Sequence, residues 1–324
     1  MSELDRRQFA RRSARIGLAL AAAPQLWSGL TAEAEPPGET TSPKPAPTFA
    51  AFTESFQSWP IPKVCEKFKA IGLDGLDLTV RPGGHIEPED AKAKLPGAVK
   101  AARDCGVRIS MLSTAIVEPD KTAEALLATA GELGIDRVKL GYFRYEGFGT
   151  LAQQIAAIGK QLAGVAMLAA KHRVLPCVHI HSGDTIPGSG PIAYLLLKDL
   201  DPKLVGAYVD PMHMTIEGGN DGWRQGLDLL APWIAISSLK NCKWITTGRD
   251  AHGQAQWATR KCPLADGVAK MPQYIATLDK LGYHGLFTLH SEYSDGNSWK
   301  VLNVDECLEQ TRLDLEYVKK ILQS

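Results

Sequence analysis

Two stretches decide the fold: Val174-Leu175-Pro176-Cys177-Val178-His179-Ile180-His181-Ser182-Gly183-Asp184 and, further along, Val205-Gly206-Ala207-Tyr208-Val209-Asp210-Pro211-Met212-His213. Each is a short apolar, β-branched run that ends abruptly in imidazole and carboxylate side chains. A run of this length between glycine- or proline-bearing turns reads as a buried strand. Polar chemistry at its C-terminal end is the signature of strands whose tips form a binding mouth.

The same unit repeats outward from these two. Upstream lie strand-like runs at Phe49–Thr53, Gly75–Val80, Val107–Leu112 and Arg137–Leu140. Downstream lie Trp233–Leu239 and Leu286–Leu289. Helical stretches fall between them at Ile61–Ile71, Glu89–Cys105, Lys121–Leu133 and Gly149–His172, and Val304–Leu322 closes the chain. Gly106 and Gly134 stand where helices end, as C-cap glycines do. Eight strands alternating with helices predict an α/β fold, a (β/α)8 TIM barrel. The rival doubly wound sheet calls for a glycine-rich phosphate loop after the first strand, and Thr53-Glu54-Ser55-Phe56 is not one.

The N-terminal residues read as an address. Asp5-Arg6-Arg7-Gln8-Phe9-Ala10-Arg11 places two arginines and a phenylalanine as a twin-arginine export signal does. An alanine-rich apolar segment, Ile16 to Leu30, follows, and Ala32-Glu33-Ala34 offers a small-x-small cleavage site. Residues 35–47 are proline-rich and polar, as an extended linker is. The barrel domain is therefore expected over 48–324, in a periplasmic or secreted protein with no membrane span once the signal is removed.

With 36 Lys+Arg against 36 Asp+Glu the formal net charge is zero, which argues against nucleic acid as a partner. Hydrophobic residues at 44% and charged residues at 22% belong to a globular chain rather than a disordered one. The six cysteines form no CxxC pair and no zinc-ribbon spacing.

Five of the eight histidines, at 85, 179, 181, 213 and 290, fall at strand ends. His179 and His181 are two apart on a strand and project to one face. Asp210 and His213 sit across one turn. Imidazoles converging with Asp210 and Glu292 suit a divalent transition ion, Zn, Mn or Fe. Arg81, Arg144 and Lys240 can neutralise an oxyanion. Asp250-Ala251-His252 reads as loop, and Cys177 as a packed residue turned away from the site. Trp59, Trp223, Trp244, Trp257 and Trp299 fit equally as sugar platforms or as loop packing.

The chain resembles the xylose-isomerase-like TIM-barrel superfamily of sugar isomerases and epimerases. The resemblance runs from about Phe49 to Leu322. It rests on Gly72-Leu73-Asp74-Gly75-Leu76-Asp77-Leu78, Asp210-x-x-His213, Leu239-Lys240-Asn241, Cys262-Pro263-Leu264-Ala265-Asp266-Gly267-Val268 and Leu281-Gly282-Tyr283-His284-Gly285. It implies a metal held by Glu, Asp, His and Glu at the ends of strands 5 to 8, and a proton shuttled beside a sugar carbonyl. Here those positions are His179, Asp210, Ser238 and His290, with Glu292 two residues later. The resemblance thus implies either a rearranged set of His179, Asp210, His290 and Glu292 or a barrel that has lost its metal. In the enzymatic reading His179, His290 and Lys240 are catalytic. His213, His181, Arg81, His85 and Arg144 then contact a small carbohydrate, which is isomerised, epimerised or dehydrated. The rival reading is a non-catalytic carbohydrate-binding barrel.

Overall fold

The computed structural model describes residues 46–323. The expected signal segment, and all but the end of the linker, lie outside the described residues. The eight strands are β1 (Thr48–Phe52), β2 (Gly75–Val80), β3 (Arg108–Thr114), β4 (Arg137–Lys139), β5 (Leu175–His179), β6 (Gly206–Val209), β7 (Ile234–Leu239) and β8 (Leu286–Leu289). They pair in parallel in the order β1-β8-β7-β6-β5-β4-β3-β2, and the sheet closes on itself. This is a (β/α)8 barrel, and the open doubly wound sheet is excluded.

Helices α1 (Ile61–Ala70), α2 (Ala91–Asp104), α3 (Lys121–Glu132), α4 (Leu151–Lys171) and α5 (Gly190–Leu197) each return the chain to the next strand. Between β6 and β7 two short helices, α6 (Pro211–Gly218) and α7 (Trp223–Leu230), share that task. Helices α8 (Met271–Lys280) and α9 (Val304–Leu322) complete the ring. Among the described residues no helix is long and apolar enough to cross a membrane. Local signals fix the helix starts. Asn303 and Glu306 form a reciprocal capping box at α9. Asp120 accepts the Ala123 N–H at the start of α3.

Two buried layers divide the strand faces. Outward residues such as Leu76, Leu78, Val138 and Val178 pack against the helices. Inward residues at the lower end of the barrel, Ala50, Met111, Cys177, Tyr208, Ile236 and Leu286, make a small separate apolar plug. Cys177 is therefore packed, as expected, but on the same inward face as His179, one layer below it. The period of two along a strand requires this and corrects the expectation that the thiol faces away. Above the plug the interior turns polar.

The segment after β7 is a hairpin, with Asp250-Ala251-His252 in its turn as expected. Asn241–Arg249 and Ala255–Cys262 form an antiparallel hairpin whose register breaks between Thr246 and Gly248. The Asn241 amide ties its base to the barrel: Nδ2 donates to the Leu264 and Ala269 carbonyls, and Oδ1 accepts from the Cys242 and Ala269 N–H groups. Gly267 packs against that amide so closely that a Cβ there would lie 2.1 Å from it.

Candidate active site

Asp-Pro-x-His at the end of β6 is a helix start as well as a site. Asp210 is the N-cap of α6: its Oδ1 accepts the His213 N–H at 3.0 Å, and Pro211 occupies the first turn. The other oxygen, Oδ2, lies 3.3 Å from His179 Nε2 and 3.9 Å from His213 Nε2. Asp210 is wholly buried. Burial alone would favour its neutral acid. The imidazoles of His213 and His179, with Lys240, more than offset that and hold its pKa well below the usual carboxylate range.

His179 bridges two partners. Its Nδ1 lies 3.1 Å from the Tyr142 hydroxyl and its Nε2 faces Asp210. The neutral tautomer with hydrogen on Nε2 satisfies both. Burial pushes its pKa down to about 3, against the raising effect of Asp210. His181 packs against His213, tilted, at 3.9 Å between centroids, and its Nδ1 meets the Ser182 carbonyl at 3.0 Å. Burial, then the Lys240 charge, bring its pKa down to about 4. A neutral ring that donates from Nδ1 keeps the Nε2 lone pair free.

Lys240, buried, and Glu292, partly buried, form a direct ion pair. Burial opposes the Lys240 charge, but Glu292 and Asp210 raise its pKa above the usual lysine value. His290 Nδ1 stands 3.6 Å from the same Glu292 carboxylate. Its Nε2 meets the Tyr208 hydroxyl at 2.6 Å; that hydroxyl meets Thr288 Oγ1 at 2.9 Å, and Thr288 reaches Asp77 Oδ2 at 3.3 Å. A hydrogen-bonded chain therefore runs from the cavity into the barrel. Phe52 stacks on His290 at 4.6 Å and fixes the ring.

These groups line a cavity of about 170 Å³ at the C-terminal mouth, bounded by Glu54, Arg81, Lys139, Tyr142, His179, His181, Lys240, His290 and Glu292 among others. The structure thus brings His179, His181, Asp210, His213, Lys240, His290 and Glu292 together, with Asp210 and His213 just behind the wall. Arg81 joins them on the rim, paired with Glu54 at 2.8 Å. Two expected residues stand apart. The His85 ring is turned to Thr79 Oγ1 at 3.2 Å and borders a neighbouring groove with Trp59. Arg144 is exposed on a two-residue strand and pairs with Asp184 at 2.6 Å. Trp59 and Trp223 are core residues, while Trp244 and Trp257 are exposed on the hairpin. None of the five tryptophans lines the cavity. Asp250 caps the hairpin turn by accepting from the His252 and Gln254 N–H groups.

The expected metal quartet does not fit. Both oxygens of Asp210, both ring nitrogens of His179 and Nε2 of His290 are engaged with neighbouring donors and acceptors, and one oxygen of Glu292 is paired with Lys240. Among the described residues no group of three His, Cys, Asp or Glu side chains is arranged to hold an ion. The positive charge beside Asp210 and Glu292 is the Lys240 ammonium. As arranged here, His179, Asp210, His290 and Glu292, expected to share one ion, are held instead by partners within the protein.

Four site residues were missed in the sequence. Lys139, Glu54 and Tyr208 have no motif, and Asp77 stood in the Gly72–Leu78 stretch without being read as a site residue, but strand parity marks three of the four. Lys139 alternates with outward Val138, Asp77 with outward Leu76 and Leu78, and Tyr208 with outward Val209.

A model of the xylose isomerase-like TIM barrel family matches residues 65–320. No curated protein sequence matches the chain. Solved structures share the fold at low identity. D-psicose 3-epimerase from Clostridium cellulolyticum H10, solved with D-tagatose, is 13% identical, with a TM-score of 0.62, over 85% of this chain and 99% of that one. The 3-keto-D-glucoside 4-epimerase of E. coli is 14% identical, with a TM-score of 0.62, over 84% and 99%. A xylose isomerase-like barrel from Mycobacterium smegmatis, in complex with magnesium, is 17% identical, with a TM-score of 0.62, over 86% and 98%. By its barrel and by that match over most of its length, the chain belongs to the xylose isomerase-like TIM barrel family.

Proposed function

We propose that the protein is an exported carbohydrate-processing enzyme that moves a proton on the carbon beside a sugar or keto-sugar carbonyl, by isomerisation or epimerisation. The observation that carries this reading is one small cavity holding both uncharged imidazoles and a fixed ammonium. Perturbed groups gathered in a cleft point to catalysis rather than to simple binding.

Lys240, with Arg81 on the rim, holds the carbonyl oxygen and neutralises the enolate that forms when the adjacent C–H is broken. His181, with a free Nε2 lone pair, accepts the proton. His290 serves the other side, and its chain through Tyr208 and Thr288 to Asp77 lets a proton be relayed away from the cavity. His179 stays neutral and orients Tyr142. The relatives that act on D-psicose and on a 3-keto-D-glucoside support the substrate class.

The test is solvent exchange. The full chain is incubated in deuterated water with ketohexoses, aldohexoses and 3-keto-glucosides, and proton NMR follows the C–H beside each carbonyl. Loss of that signal for one member of the panel is expected; its retention in all of them overturns the reading. Export is supported by Asp5–Arg11 and Ala32-Glu33-Ala34. The exported protein is expected to begin at Glu35 by mass spectrometry, and an intact Met1 on exported protein would contradict it.

A further inference from the structure

Lys139 is the cationic side chain of the cavity that no carboxylate claims. It ends β4, the shortest strand of the barrel, and strand alternation turns it inward while Val138 packs outward. Its side chain is 4% exposed, and the ammonium nitrogen lies 3.6 Å from the centroid of the Tyr142 ring. Among the described residues no carboxylate lies within ion-pair distance of that nitrogen, whereas Lys240 is bound to Glu292 and Arg81 to Glu54. A structural lysine at this depth needs a carboxylate partner. Lys139 has instead an aromatic face and an opening onto the space a sugar would fill.

We propose that Lys139 is a nucleophile that forms an imine with the carbonyl carbon of the sugar. The inference rests on the reading of this cavity as a carbonyl site and adds a covalent step to it, in which Lys240 faces the oxyanion that forms as the amine attacks rather than an enolate. The Lys139 nitrogen bonds to the carbonyl carbon to give a carbinolamine. The former carbonyl oxygen then leaves as water, having taken one proton from the amine and one from a neighbouring acid or solvent. Carbonyl plus amine plus one proton gives the protonated imine plus water, with no oxidant or reductant. Protonated, the imine withdraws electrons from the adjacent C–H as a bound metal would from a carbonyl, and the enamine left after deprotonation is uncharged.

The surroundings keep the amine reactive. Burial, then the Arg81 charge, bring its pKa down to about 7, while Asp77, Glu54 and Glu292 work in the opposite direction. His179, on β5, is neutral, and Tyr142 presents only its ring. Near pH 7 Lys139 therefore holds roughly a 10³-fold larger share of neutral amine than an ordinary exposed lysine.

The experiment is reductive trapping. The full chain is mixed at neutral pH with dihydroxyacetone, the smallest keto-sugar, and sodium cyanoborohydride, which reduces an imine to a stable secondary amine. Peptide mapping by mass spectrometry then locates the adduct. The expected result is early labelling of Lys139 ahead of the exposed lysines, at a rate that rises with pH up to about 7 and then levels. Labelling that spreads over exposed lysines and spares Lys139 overturns the proposal. Lys139→Met and Lys139→Arg separate this step from the parent reading. Deuterium exchange that survives in either folded variant refutes the imine and leaves proton transfer standing. Exchange absent from the wild-type chain as well removes both.

Discussion

Lys240→Met is expected to lower the rate of solvent exchange beside the carbonyl by about 10²–10³-fold, the cost of removing one preorganised group that faces a developing oxyanion. The side chain of methionine follows the lysine stem, so the barrel wall keeps its shape. What disappears is the charge between Glu292 and Asp210. Glu292 then has only His290 and the Lys261 charge to favour its anion, and with burial as the largest influence its pKa rises. The carboxyl takes up a proton at a higher pH than in the parent, so the variant should lose most activity on the acid side. Lys240→Arg should recover part of the rate, since a guanidinium keeps the charge but not the compact shape of an ammonium. Rates of Met and parent proteins that agree within a few-fold would remove Lys240 from the chemistry.

Asp210→Ala is expected to be the most destabilising single change at the site, by about 3 kcal/mol or more, because it removes one partner from a buried charged network. Three contacts go at once: the cap on α6, the acceptor for His179, and the anion facing His213. Loss of the cap alone accounts for about 1 kcal/mol. Asp210→Asn separates the effects. Its side-chain oxygen can still cap α6, so stability should largely return. The charge that holds the His179 tautomer is gone, so the exchange rate should stay low. The sign of the pH effect follows from the depressed carboxyl. Stability from Asp210 is fully present above the ordinary aspartate pKa and is lost as pH falls through its lower folded value. Urea denaturation of the three proteins at neutral and acid pH reads both effects. An Ala variant as stable as the parent would contradict the network.

The fold was legible because eight apolar runs with helices between them admit few closed arrangements, and glycines such as Gly106 and Gly134, both at positive φ, mark where helices turn back. Strand tips pointed to the mouth, so His179, His181, Asp210, His213, Lys240, His290 and Glu292 were found. Proximity along the chain misled for His85 and Arg144. Each follows a strand closely, but local hydrogen bonding to Thr79 and pairing with Asp184 turn them elsewhere. The hairpin after β7 was hidden because glycine and glutamine around Asp250 mask a pairing that only the tertiary position of Asn241 anchors. The arrangement around the expected ligands was not legible for a reason that residue types cannot show. Imidazoles and carboxylates were counted as free ligands, yet Lys240, Tyr142 and Tyr208 already occupy them.

In the proposed reading the chain's own cations, Lys240 and Arg81, supply the electrostatic stabilisation. The most direct test repeats the deuterium exchange on full-length protein stripped with a chelator, and again after adding zinc, manganese, iron or magnesium ions. Proton loss beside the carbonyl is predicted to continue at the same rate in the stripped protein and to be unchanged by each ion. Exchange that stops on chelation and returns with one of the metals would contradict it, and would return His179, Asp210, His290 and Glu292 to the role of ligands.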